Sequence, residues 1–237
     1  MNKFCEVFKT KPVVLPVNHV VDEGQAIKNV LVAQEGKSDG VFLINHTMSS
    51  EVLLKIYESV VKGFSDFWIG INCLGWKPGE VFNEISRRGL FGLSGVWTDN
   101  AMINEYSKDQ PEAERIHELR RQSGWEGLYF GGVAFKYQKA VSELEKAAQI
   151  AVKYVDVVTT SGPGTGHAAE IEKIRRMKSA IGEKPLAIAS GITPENVSNY
   201  IGISDCFLVA TGISKNFYTL DPQKLKMLVE NIRKEAG

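Results

Sequence analysis

The feature that most constrains this chain is an alternation of short apolar runs with amphipathic stretches from end to end. The runs occupy 13–17, 40–44, 67–71, 92–97, 127–133, 155–159, 185–189 and 206–210, and their length and β-branched content predict strands. Between them apolar residues recur at helical spacing, as in Leu53, Ile56, Tyr57 and Val60, in Leu144, Ala147, Ala148 and Ala151, and in Leu225, Leu228, Val229 and Ile232. The gaps at 25–35, 80–88, 112–122, 170–181 and 195–200 supply the remaining helices. Runs such as "FWIGI" and "CFLVA" are apolar on both faces, which suits a parallel sheet covered by helices. Eight βα units in 237 residues predict an α/β chain folded as a single (β/α)8 TIM barrel over 1–237. An open doubly wound sheet is the alternative if two strands fail.

The charges exclude some partners. Lys+Arg and Asp+Glu are equal at 28 each with no basic run, so no nucleic acid is expected and a small molecule is. Cys5, Cys73 and Cys206 lie far apart without a C-x-x-C, which indicates neither a disulfide framework nor a zinc ribbon and suits a reducing cytoplasm. The first apolar run ends at Pro16, too early for a signal-peptide core or a membrane span. The expectation is a cytoplasmic protein without membrane contact.

In such a barrel the active site lies at the C-terminal ends of the strands. The residues that follow the apolar runs are Asn18-His19, Asn45-His46, Asn72-Cys73, Thr98-Asp99-Asn100, Thr160-Ser161, Ser190-Gly191 and Thr211-Gly212. They are expected to gather on one rim, whereas the N-terminal ends, mostly Lys, Asp or Gly, read as solvated loops. For any single Asn, Ser or Thr, helix or turn capping is a competing explanation. Capping needs neither imidazole nor carboxylate, however, so the candidate catalytic set is His19, His46, Asn72 and Asp99, with the histidines shuttling protons and Asp99 acting as base or orienting group. A metal held by His19, His46 and Asp99 is conceivable, but no H-x-x-x-H or H-E-x-x-H spacing supports it and no cofactor is predicted. Cys73 reads as a core residue.

Two glycine-rich regions remain. "SGPGTGH", 161–167, is neither G-x-G-x-x-G nor a P-loop. Its Gly162, Gly164, Gly166 and His167 form either a lid over the mouth or a plain flexible connection. "SGIT" and "TGIS" follow the seventh and eighth runs, where barrels commonly bind phosphate. Ser190, Gly191, Ile192, Thr211, Gly212 and Ile213 are therefore the phosphate candidates, through the amides of Gly191, Ile192, Gly212 and Ile213. The helix start at Pro194 and a short extra helix in "ISKNF", 213–217, would complete the cup. With the glycines read as room for an anion, Gly212→Asp should block binding and leave the fold intact.

The stretches "VVTTSGPGTG", "LAIASGITPENV" and "DCFLVATGISKN" resemble the BtpA/SgcQ family, strongly over 155–232 and diffusely before. The resemblance implies a ribulose-phosphate-binding-type barrel with Ser190, Gly191, Thr211 and Gly212 at the phosphate loops. Some relatives are tied to photosystem I biogenesis, and others carry predicted enzyme names. Strand 1, "VVLPVNHV", departs from the family's "H-L-x-P-L-P-G"-like stretch. A phosphoribosylanthranilate isomerase would carry Cys after strand 1 and Asp after strand 5, where this chain has Asn18-His19 and Ala134-Phe135. The resulting expectation is an enzyme acting on a small phosphorylated sugar or ribosyl compound, as isomerase, lyase or transferase, possible as a homo-oligomer. The alternative is a non-enzymatic assembly or regulatory factor.

Overall fold

A computed structural model describes residues 2–90 and 92–236. Eight parallel strands close into a barrel in chain order: β1 Val13–Val20, β2 Val41–Asn45, β3 Ile69–Asn72, β4 Gly95–Thr98, β5 Leu128–Gly132, β6 Val157–Ser161, β7 Leu186–Ala189 and β8 Cys206–Val209. Helices α2 Glu23–Glu35, α3 Ser50–Gly63, α4 Pro78–Arg88, α5 Pro111–Gln122, α6 Leu144–Ala151 and α7 Ile171–Ile181 follow the first six strands, and α8 Pro222–Ala236 closes the chain. The fold is the (β/α)8 TIM barrel. Among the described residues no helix is long and apolar enough to cross a membrane.

Two expected helices take other forms. Between β7 and β8 the chain makes only a 3-10 turn, Val197–Tyr200. Asn196 competes for the backbone there, its side chain accepting from the Thr193 N–H (2.8 Å) and donating to the Gly191 carbonyl (2.7 Å). The "ISKNF" segment is not helical either: a 3-10 turn at Thr211–Ile213 leads into a hairpin of β9 Ser214–Asn216 and β10 Thr219–Leu220. An unpredicted helix, α1 Lys3–Val7, precedes the barrel. Its Phe4 and the following Phe8 are buried against Phe130 and Trp68, closing the interior at the end away from the mouth.

Three aspartates at the N-terminal strand ends are clamps rather than solvated loop residues. Asp39, Asp156 and Asp205 precede β2, β6 and β8 and accept the backbone N–H of Val14, Tyr129 and Leu186 on the preceding strand, at 2.7, 2.7 and 2.9 Å. Arg233, Arg120 and Lys178 neutralise them at 2.6, 2.5 and 2.6 Å. Each pair therefore fixes the stagger of two neighbouring strands while keeping its carboxylate hydrogen-bonded. Polarity at this end holds the barrel's register.

Candidate functional site

A cavity of about 310 Å³ opens at the C-terminal mouth. Strand alternation decides which rim residues enter it. On β1 the side chains of Val13, Leu15 and Val17 fill the barrel interior, so His19 faces inward and lines the cavity. Asn18 faces the helices, where its side chain donates to the Ala26 carbonyl and accepts from Gln25 and Asn29. Asn45 likewise braces the next loop, bonding the Met48 carbonyl and the Leu74 N–H, and Thr160 donates to the Ala134 carbonyl. All three stand on the expected rim, near the C-terminal ends of β1, β2 and β6, but their side chains brace neighbouring backbone and do not line the cavity.

Of the predicted catalytic residues, His19, His46 and Asp99 line the cavity, and Asn72 stands behind them, donating to Asp99 Oδ1 at 3.0 Å. His19 Nδ1 lies 2.9 Å from the Phe217 carbonyl. A carbonyl only accepts, so Nδ1 carries the proton and Nε2 keeps its lone pair. The ring stacks on Phe217 at 4.0 Å and meets His46 edge-on at 4.8 Å. Burial lowers the His19 pKa to about 4 and also lowers that of His46. Burial raises the Asp99 carboxyl, opposed by the Asn72 hydrogen bond and the Lys136 charge. The site thus favours neutral imidazoles and a carboxyl that holds its proton above the ordinary range. Among the described residues no three His, Cys, Asp or Glu side chains gather as a metal site. Cys73 is buried, its thiol pushed up to about 12 by desolvation.

On the β7 and β8 side Ser190 and Thr211 line the cavity. Ile192 and Ile213 are core side chains, 1% and 0% exposed, and the Ile213 N–H is already committed to the Ala210 carbonyl at 3.0 Å. The two glycines also serve packing. A Cβ on Gly191, whose φ is 70°, would lie 2.1 Å from the Ala168 nitrogen, and one on Gly212 would lie 1.9 Å from the Ile192 carbonyl oxygen. Gly212→Asp therefore displaces the loop after β7, and its expected outcome is a destabilised protein in thermal melts rather than an intact one lacking an anion site.

The loop after β6 is tied across the mouth. Thr165 donates its N–H to Tyr137 Oη at 3.3 Å, and Thr165 and Gly166 line the cavity. Gly162 packs on the His167 carbonyl, and Gly164 adjoins the His167 ring.

Sequence reasoning missed Lys136, Tyr137, Trp97 and Phe217, all in the cavity wall. Lys136 Nζ donates to Thr165 Oγ1 and Ser190 Oγ, each at 3.1 Å. Trp97 is 4% exposed, and its indole N–H has no hydrogen-bond partner among the described residues. A second cavity, about 270 Å³, lies between the loops after β4 and β5 and contains none of the predicted site residues.

The BtpA family pattern matches residues 111–234, more than half of the chain. The chain belongs to the BtpA family. The match starts earlier than the resemblance read from the sequence alone and takes in the turn that carries Lys136. No curated protein matches the chain. Solved structures similar to this BtpA-family barrel include a native KDPGal structure, with TM-score 0.69 and 15% identity over 96% of this chain and 97% of the other. Phosphoribosyl anthranilate isomerase from Thermus thermophilus gives TM-score 0.65 at 14% identity, covering 94% and 99%. Tryptophan synthase subunit alpha from Legionella pneumophila gives 0.67 at 10%, covering 99% of each chain. At these identities the likeness is one of fold.

Proposed function

We propose that this protein is an enzyme acting on a small phosphorylated sugar or ribosyl compound, of isomerase, lyase or transferase type. The observation that carries the reading is the division of polar groups around one mouth cavity: Ser190 and Thr211 on the β7 and β8 side, and His19, His46 and Asp99 toward β1, β2 and β4. In this reading the phosphate rests on the Ser190 and Thr211 hydroxyls and the amides of Gly191 and Gly212. The Ile192 and Ile213 side chains support those loops from the core. The lid loop with Gly162, Gly164, Gly166 and His167 covers the bound molecule. Similarity in fold to phosphoribosyl anthranilate isomerase supports a phosphorylated ligand, but Asn18-His19 after strand 1 and Ala134-Phe135 after strand 5 do not support that reaction.

The test is thermal denaturation with ribose 5-phosphate, ribose and inorganic phosphate. At a concentration 100 times its Kd, ribose 5-phosphate should stabilise by about 2.7 kcal/mol, or roughly 5–10 °C in Tm for a chain of this length. Ribose should give no shift. Thr211→Glu, at an exposed rim position, should melt like the parent and lose the phosphate-dependent shift. A parent Tm unmoved by every phosphorylated sugar tried would sink the reading.

A further inference from the structure

The turn after β5 is built to present one lysine to the cavity. Ala134 and Tyr137 on either side of it both hold left-handed backbone, with φ of 48° and 62°, a conformation that side-chain-bearing residues adopt only when their surroundings impose it. Those surroundings are visible. The Lys136 N–H donates to Ser161 Oγ at 2.7 Å, and Lys173 Nζ donates to the carbonyls of Ala134 and Ser161, each at 2.7 Å. The backbone of 134–137 is thereby anchored to β6 and α7.

Lys136, unlike Lys173 whose ammonium is spent on the Ala134 and Ser161 carbonyls, lines the cavity, and it also differs from the lysines that end in ion pairs. Lys11 and Lys178 pair with Asp205 at 3.1 and 2.6 Å. Among the described residues no carboxylate oxygen lies within salt-bridge distance of Lys136 Nζ, which bonds only the neutral hydroxyls of Thr165 and Ser190. The rings of Phe135 and Tyr137 flank it at 5.8 and 5.9 Å. Half-buried among such groups its pKa falls, desolvation outweighing the pull of the Asp99 charge. A lysine desolvated in a cavity with no paired carboxylate is suited to act as a nucleophilic amine.

We propose that Lys136 Nζ is a covalent nucleophile, forming an imine with the carbonyl carbon of a phosphorylated aldehyde or ketone bound in this cavity. The proposal rests on the phosphosugar reading above and adds the carbonyl to the substrate class. The neutral amine attacks the carbonyl carbon, a C–N bond forms, and the carbonyl π pair moves to oxygen. Asp99 gives that oxygen a proton and takes one back from nitrogen, leaving a carbinolamine. A second proton from the Asp99 carboxyl goes to the hydroxyl, the C–O bond breaks, and water leaves. A protonated imine and an Asp99 carboxylate remain, so atoms and charge balance. The imine nitrogen then accepts electrons from a breaking C–C or C–H bond, which serves the lyase and isomerase classes alike.

The experiment uses the whole chain with D-glyceraldehyde 3-phosphate as the probe and sodium cyanoborohydride to reduce any imine to a stable secondary amine. Peptide mass spectrometry then gives the alkylation rate at each lysine. Lys136 should be alkylated at least tenfold faster than the exposed Lys139 and Lys215, and unphosphorylated glyceraldehyde should lose that preference. Equal or slower alkylation of Lys136 overturns the proposal. A Tm raised by the probe without reductant separates the two readings: a shift without Lys136 labelling removes the imine and keeps the phosphate site, whereas neither shift nor labelling removes both.

Discussion

Gly191→Ala should lower the melting temperature by roughly 10 °C, the effect of about 3–5 kcal/mol in a chain of this size. Two costs add. The φ of 70° at Gly191 is one that a residue with a Cβ occupies at about 1–2 kcal/mol. The new Cβ would also lie 2.1 Å from the nitrogen of Ala168, 2.3 Å from its Cα and 2.3 Å from the His167 carbonyl carbon. These are backbone atoms, which cannot swing away as a side chain tip does, so an overpacking cost of about 1–3 kcal/mol or more follows. Gly124 is the control: its φ is 67°, but nothing lies within 4 Å of its missing Cβ. Gly124→Ala should therefore show only the conformational part, about 1–2 kcal/mol. Equal losses of Tm in the two variants, or a Gly191→Ala Tm within about 2 °C of the parent, would show that the loop after β6 does not bear on Gly191 as the structure has it.

That contact also shows where sequence reading stops. The alternation of apolar runs and helical stripes was enough for the barrel, because a strand buried on both faces and a helix buried on one leave different periods in the sequence. The same double burial hides parity. Val13, Val14, Leu15 and Val17 are all buried, so nothing in the residue types says that His19 enters the cavity while Asn18 turns to the helices. The sequence therefore offers both members of each polar pair to the rim, yet His19, His46, Asp99, Ser190 and Thr211 reach the cavity, and Asn72-Cys73 and Thr160-Ser161 contribute neither member to its wall.

Gly191 and Gly212 were legible as glycines that matter, but the sequence shows no neighbour, and the backbone of the adjoining loop competes with an anion as the reason. Lys136 escaped for another cause. It lies four residues past the end of β5, in a turn held by left-handed Ala134 and Tyr137, and neither residue type signals positive φ. The hairpin at Ser214–Leu220 replaced an expected helix because tertiary bonds decide it: the carbonyls of Phe217 and Tyr218 are taken by His19, Gln25 and Asn29. Composition could not disclose that the Asp39, Asp156 and Asp205 carboxylates clamp strands, since an Asp before a strand reads as a turn residue until its partner amide is known.

The second large effect is a loss of stability in mild acid that belongs mainly to His19. Desolvation lowers its pKa from 6.5 to about 4 in the folded protein, the Phe217 carbonyl pulling the other way and His46 and Lys136 adding to the fall. Between these two values the unfolded chain binds a proton that the folded chain refuses, so stability drops as pH falls from about 6.5 toward 4 and is fully present above 6.5. At about 1.4 kcal/mol per tenfold change in proton affinity, the fall amounts to about 3 kcal/mol. His46, also lowered by burial, acts in the same direction. Asp99, whose carboxyl is raised, acts in the opposite one, because the folded state takes up its proton first. His19→Phe keeps a ring against Phe217 and removes the titration. Guanidinium melts of parent and variant between pH 7 and 4 make the comparison. The parent should lose about 3 kcal/mol more than His19→Phe over that range. Parallel pH profiles would mean that His19 takes up its proton as readily folded as unfolded, and the mouth of the barrel would then be a far wetter place than the packing of His19 between His46 and Phe217 allows.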